Sequence, residues 1–242
     1  MPPRFFCPQP LAAGALVELP AAAAHHALRV LRLGPGDAVV LFNGEGGEYP
    51  GRLATAGRGL AVQLGERADI ERESPLELVL AQALPSGERM DFVVQKAAEL
   101  GVARIQPLAT RRSVPRLAGE RARRRLEHWR QVAAAACEQC GRNRLPEIAP
   151  LLDLRQWLAG LPQENGLCRL LLVPGGGLRS RRLAAAPGFL LLVGPEGGLD
   201  AEEIALARAA GFDEFVLGPR VLRTETAGPA ALAALGALHG DL

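Results

Sequence analysis

Leu190–Ile204 reads LLLVGPEGGLDAEEI, and Phe215–Leu232 reads FVLGPRVLRTETAGPAAL. Each is an apolar run, a turn rich in glycine or arginine, and then a helix-like pattern. Apolar runs that pass straight into helices predict strands of a parallel sheet. The two turns then lie side by side at the carboxyl edge of that sheet, where open α/β sheets hold ligands. Neither turn has the lysine of a phosphate-binding loop or the glycine spacing of a dinucleotide fingerprint. The expected ligand is therefore held by backbone amides and carbonyls, not by a phosphate cradle.

Outward from these turns, the second part of the chain alternates strand-like and helical patterns. The strand-like runs are Leu76–Leu84, Arg104–Leu108, Leu145–Ile148, Leu167–Val173, Phe189–Val193 and Glu214–Leu217. This alternation predicts a mostly parallel sheet flanked by helices. Asp200 and Glu203 form a capping-box pattern for a helix over Asp200–Ala210, and Gly211 stops it. Residues 1–70 differ. Short β-segments at Arg4–Cys7, Ala15–Leu19, Ala38–Phe42, Tyr49–Ala54 and Leu60–Leu64 surround one helix, Ala21–Leu31, which suits a small β-barrel. The charged stretch Glu66–Glu73 before Ser74-Pro75 reads as a linker, giving domains over 1–72 and 73–242.

The chain has 242 residues, 48% of them hydrophobic, so a full core is available. A net charge of +2 hides local clusters, and only one of the 28 basic residues is lysine, Lys96. Basic residues gather at Arg111, Arg112, Arg116, Arg121, Arg123, Arg124 and Arg125, and again at Arg179, Arg181 and Arg182. These clusters fit a polyanion surface and a solvated helix face equally well. The start MPPRFFCP does not read as a signal peptide, and no apolar run approaches a membrane span. A cytoplasmic protein with reduced thiols is expected. Cys137 and Cys140 share one helical stripe with Ala122, Leu126, Trp129 and Ala133, so both thiols point to the core. With no further ligands nearby, no metal is expected.

Several residues could carry chemistry. Gly194, Gly197 and Gly198 permit positive φ and close ligand approach, Pro195 stiffens that turn, and Glu196 is either a ligand contact or a supporting hydrogen-bond group. Arg220, Arg223, Thr224, Glu225 and Thr226 fall in one short stretch interrupted by apolar Val221 and Leu222. Such a stretch packs inward and is a candidate active site. On the helix around Met90–Leu100, Arg89, Phe92, Lys96 and Glu99 share the face opposite the core; on the cysteine-bearing stretch, Gln131, Glu138 and Arg142 share a face away from the cysteines. His25, His26, Arg29 and Arg32 cluster early, suited to a phosphate or base contact.

GPEGGL (194–199), LGPRVLRTETA (217–227), QKAAELG (95–101), ACEQCGRNRLPEI (136–148), PRFF (3–6) and HHALRVLR (25–32) together resemble the RsmE family. These are bacterial 16S rRNA uridine-N3 methyltransferases of the SPOUT superfamily, and the resemblance runs the whole chain in order. It implies a PUA-like barrel followed by a methyltransferase domain with a C-terminal trefoil knot. It implies S-adenosylmethionine as cofactor, a homodimer, and a uridine in the decoding region of 16S rRNA as substrate, preferably in the assembled small subunit. By matching position, Leu172, Val173, Gly194, Pro195, Glu196, Gly197, Gly198, Leu217, Gly218, Leu222, Arg223, Thr224, Glu225 and Thr226 would bind the cofactor. Arg4, His26, Arg29, Arg32, Lys96 and Arg142 are the candidates for RNA contact. The triple glycine in VPGGGLRSRRL (173–183) departs from the pattern, and Pro229 fits the last helix only in its first turn.

Uracil N3 must lose a weakly acidic proton, and negative charge then spreads to O2 and O4. Arg223 is expected to stabilise that charge. Glu225, or a water it positions, is expected to accept the proton.

Overall fold

The computed structural model describes residues 2–57, 59–114, 116–163, 166–175, 177–179 and 183–242. Gly176 of the triple glycine, and Arg181 and Arg182 of the second basic cluster, lie outside them. The chain forms two compact units. One comprises Met1–Glu73 with Ala134–Leu145, the other Ser74–Ala133 with Pro146–Leu242.

The first unit is built on a five-stranded sheet in the order β1-β3-β4-β5-β2. Its strands are β1 (Arg4–Phe6), β2 (Leu16–Glu18), β3 (Ala38–Phe42), β4 (Tyr49–Ala56) and β5 (Gly59–Leu64). All pairings are antiparallel except β1 with β3. Phe5, Val39, Leu41, Leu53, Val62 and Leu64 fill its core. The early helix differs from the expected Ala21–Leu31. The α-helix α1 ends at His25, and a π-helical turn, His26–Val30, follows. The Leu31 N–H reaches back to the His26 carbonyl at 3.0 Å. This wider turn buries Ala27 and leaves Leu28, Arg29 and Val30 outward.

A charged network lies inside this unit. Arg4 is buried and bonds Glu48 at 2.5 Å and the Asn143 side chain at 2.5 Å, and Arg72 reaches the same Glu48 at 3.1 Å. Arg142, also buried, forks onto Glu73. Burial works against ionised Glu48, but hydrogen bonds from Arg4, Arg72 and Asn143 outweigh it and hold its pKa below the usual carboxylate value. The segment Ala134–Leu145 thus supplies partners to residues more than a hundred positions earlier. Glu138 adds another, accepting the Phe6 N–H at 2.8 Å.

The second unit holds a parallel sheet in the order β11-β13-β10-β12-β6-β7-β8, with β9 also pairing β7. The strands are β6 (Glu77–Ala83), β7 (Arg104–Ala109), β8 (Glu147–Ile148), β9 (Leu152–Asp153), β10 (Cys168–Leu172), β11 (Leu178–Arg179), β12 (Gly188–Val193) and β13 (Asp213–Val216). The near-continuous apolar runs of β6 and β12 are what a strand covered on both faces requires. Leu78, Leu80, Phe189, Leu191 and Val193 point to one face. There they meet α2 (Arg89–Glu99), the part of α3 (Gly119–Cys140) around Trp129, and α6 (Thr224–His239). Val79, Ala81, Leu190 and Leu192 point to the other face, against α4 (Leu154–Ala159) and α5 (Ala201–Ala209). Full burial of each such leucine contributes about 1.5–3 kcal/mol.

Local chemistry sets the helix boundaries. Asp200 and Glu203 form the expected reciprocal capping box on α5. Asp153 caps α4, an element the hydrophobic pattern did not indicate, by accepting the Arg155 and Gln156 N–H groups. Pro229 lies further into α6 than the first turn, because that helix already begins at Thr224. Among the described residues no helix is long and apolar enough to cross a membrane.

Candidate functional site

The carboxyl ends of β10, β12 and β13 open into one cavity of about 810 Å³ within the second unit. Its volume falls in the range of small-molecule sites, roughly 300–1,000 Å³. Three chain exits form the wall: Leu171–Pro174 after β10, Val193–Leu199 after β12, and Glu214–Leu217 with Arg220–Glu225 after β13. Leu171, Val193, Ile204 and Phe215 make part of it apolar, and Glu196, Glu214 and Glu225 bring carboxylates to it.

The first loop turns on two glycines used differently. Gly198 adopts φ +66°, a conformation costly for other residues. Gly194 does not, but a Cβ there would stand 3.1 Å from the Leu199 nitrogen. Arg112 donates to the Gly197 carbonyl at 2.8 Å, so part of the basic cluster fixes this loop. Arg111 is engaged too, at 3.0 Å from Asp200 and 2.9 Å from Glu202.

The two loops are joined by side chains. Thr224 Oγ1 donates to the Gly194 carbonyl at 2.6 Å and accepts from buried Gln82 Nε2 at 2.9 Å. Each such bond contributes about 0.5–1.5 kcal/mol. Glu196 Oε1 accepts from the Ser86 N–H at 2.8 Å, from Ser86 Oγ at 2.6 Å and from Arg89 at 2.5 Å. Partial burial opposes ionisation of Glu196, but the Ser86 and Arg89 hydrogen bonds prevail and hold its pKa at about 2. Arg89 Nε also lies 3.4 Å from Glu225 Oε1.

Comparison with known proteins identifies this arrangement. A family model described as an RNA methyltransferase domain matches residues 72–236, and an RNA methyltransferase PUA domain matches 19–62. A Synechocystis relative called ribosomal RNA small subunit methyltransferase E is 35% identical over 230 residues, 93% of this chain and 74% of that protein. The chain belongs to the ribosomal RNA small subunit methyltransferase E family. A solved family member from Neisseria gonorrhoeae, bound to S-adenosyl methionine, superposes with a TM-score of 0.91 at 36% identity, with full coverage of both chains. A Legionella pneumophila methyltransferase in complex with SAM gives 0.94 at 39%, again with full coverage of both.

In this family member the expected cofactor residues gather at the cavity, with two exceptions. Leu172, Val173, Gly194, Pro195, Glu196, Gly197, Gly198, Leu217, Leu222, Arg223, Thr224 and Glu225 line it, whereas Gly218 and Thr226 do not. Thr226 is exposed on the outer side of the first turn of α6. The pattern did not single out Glu214 or Ile204, because both lie within regular elements and not in a conspicuous loop. Ser86 was missed, and Arg89 was placed on a helix face but not at this site, for a different reason: their partner Glu196 is more than a hundred positions away.

The candidate RNA residues separate sharply. His26, Arg29 and Arg32 are exposed on the π-turn and just after it. Lys96 is half-buried and spans to Glu99 at 2.8 Å. Arg4 and Arg142 are corrections: both are buried, and their guanidinium groups bond Glu48 and Glu73, so neither is presented to an RNA. Cys137 is buried and Cys140 half-buried. Among the described residues no group of three or more His, Cys, Asp or Glu stands together as a metal site.

Glu196 makes a prediction about acid stability. Its folded pKa of about 2 lies below the ordinary 4.5, so its contribution is complete above pH 4.5 and is lost as pH falls toward 2. Glu196→Gln should flatten the fall in unfolding free energy across that window, measured by urea titration at several pH values. An unchanged slope would show that the Ser86–Arg89 cradle does not hold the ionised form.

Proposed function

We propose that the chain transfers a methyl group from S-adenosylmethionine to N3 of a uridine in the decoding region of 16S rRNA, preferably in the assembled small ribosomal subunit. The observation that carries this reading is the cavity at the sheet's carboxyl edge, walled by the loops after β12 and β13. The residues present fit the cofactor. Apolar Leu171, Val193, Ile204 and Phe215 suit its purine, and Glu196, Glu214 and Glu225 complement its cationic sulfonium and ammonium groups. Leu172, Val173, Gly194–Gly198, Leu217 and Leu222–Glu225 would hold it. When bound, it supplies an electrophilic methyl group, so the acceptor nitrogen has to give up its proton.

The chain's own groups then divide the work. Arg223 is exposed at the cavity wall and stabilises the charge that spreads to uracil O2 or O4. Glu225, or a water it positions, takes the N3 proton. The walls align the reacting groups, and orientation of that kind can contribute roughly 7–11 kcal/mol. Since N3 lies on the Watson–Crick edge, the uridine must be unpaired before reaction. The first unit docks the RNA through His26, Arg29 and Arg32, a role their exposure supports.

We read the working form as a cytoplasmic homodimer. Exposed Phe92 on α2 and Leu238 on α6, two helices that pack together, support a subunit contact. We also assign a trefoil knot to the C-terminal half of the second unit. Support comes from β13, which inserts between β10 and β11, two strands that follow one another in the chain.

Methyl transfer to small subunits lacking the modification, run beside naked 16S rRNA, tests the proposal. The expected result is a new reverse-transcription stop at one decoding-region uridine, strong only with assembled subunits. No stop on either substrate, with cofactor bound, would move the target to another RNA. Arg223→Ala should cut turnover at saturating cofactor by roughly a hundredfold; near-normal turnover would remove Arg223 from the chemistry. Arg29→Ala with Arg32→Ala should weaken subunit binding and lower its salt slope by about one to two. An unaltered slope would take both residues off the RNA.

A further inference from the structure

The two carboxylate oxygens of Glu225 stand in different situations. Oε2 is buried and has no hydrogen-bond partner among the described residues, whereas Oε1 lies 3.4 Å from Arg89 Nε. The side chain keeps 15% exposure. Oε2 contributes none of it, and Oε1 is the oxygen that meets a cation, at a residue that lines the cavity. A buried, unpartnered carboxylate oxygen costs free energy, which the side chain recovers by swinging toward water unless it is held. Something must hold it, and the cation beside Oε1 does so.

That cation is itself tethered. Arg89 opens α2, outside both loops, and Nη1 donates to Ser86 Oγ at 2.6 Å and to Glu196 Oε1 at 2.5 Å. One guanidinium therefore reaches a carboxylate from each loop, and its planar fork suits two acceptors better than an ammonium would. Glu225 sits in the first turn of α6, and Glu196, Glu214, Arg220 and Arg223 line the same cavity. Among the described residues Arg89 alone forms an ion pair with it.

We propose that Arg89 is the positioning residue of this site: anchored to the first loop through Glu196, it holds the Glu225 carboxylate in place with Oε1 as the proton-accepting atom. This rests on the reading of Glu225 as the proton acceptor. The N3–H bond breaks toward Oε1 or a water held by it, and Arg89 keeps its own protons throughout. Ser86 and Glu196 act one step further back, by fixing the guanidinium.

The test uses the full-length protein on small ribosomal subunits, with kcat and KM measured separately. Arg89→Met should lower kcat about tenfold or more and leave KM for the subunit nearly unchanged. Cofactor affinity should change much less than kcat. Arg89→Gln loses both the charge and the reach of the guanidinium, so it should show the same kcat loss even if the Met variant folds poorly. Arg89→Lys keeps the charge without the fork and should recover only part of the lost kcat. A folded Met or Gln variant with wild-type kcat would overturn the proposal, whatever its thermal stability. Glu225→Gln separates the two readings. Near-normal turnover in that variant would remove Glu225 as the acceptor. An inactive Glu225→Gln enzyme beside an Arg89→Met variant with wild-type kcat would sink Arg89 alone.

Discussion

Strand β12 is paired along its length with β10 on one side and β6 on the other, and every one of its residues is buried. That constraint shapes the second unit. A strand covered on both faces and both edges favours apolar side chains, so polar function begins where the strand ends. At Gly194 the chain leaves the sheet with bare backbone, and its carbonyl is met by Thr224 from the other loop. Gln82 stands opposite Val193 in the neighbouring strand and breaks the otherwise apolar run of β6 to support that same threonine. The polar residue in the core is there because the site lies just above it.

Around this backbone-rich centre, charge is imported from elsewhere in the unit. Arg112 and Arg111 precede α3, Arg89 opens α2, and Glu225 sits in the first turn of α6. Arg112 and Arg89 bond groups of the loop after β12. Glu196 gains most from this arrangement, because two donors from Ser86 and one from Arg89 converge on a single oxygen. The first loop is therefore held by its own glycine geometry and by a side-chain cradle outside it.

Arginine in this chain performs two opposite tasks. Arg4, Arg72 and Arg142 neutralise Glu48 and Glu73 inside the first unit. Removing one partner from the buried Arg4–Glu48 pair costs about 3–5 kcal/mol, which makes Arg4 part of the fold. Arg29, Arg32, Arg220 and Arg223 are exposed, and among the described residues none of them forms an ion pair. Composition cannot separate the two groups, since both are the same residue type in similarly charged surroundings.

Much of the architecture was legible in the sequence. Apolar runs, the Asp200–Glu203 capping box and the two glycine-bearing turns follow from local periodicity and backbone stereochemistry, which a few neighbouring residues determine. The motif set also carried the family, and most of the cavity wall came with it. What the sequence left open depends on partners far along the chain. Residues 134–140 continue α3 without a break, so nothing local announces that Ala134–Leu145 belongs with the N-terminal unit. Arg4 and Arg142 look like RNA-binding arginines until Glu48, Glu73 and Asn143 close around them. The pairing of Arg89 with Glu196 and Glu225 spans more than a hundred residues and exists only once β6, β12 and β13 lie in register. Local sequence determined the elements and the turns; long-range packing decided which charged groups are buried and which remain at the cavity for chemistry.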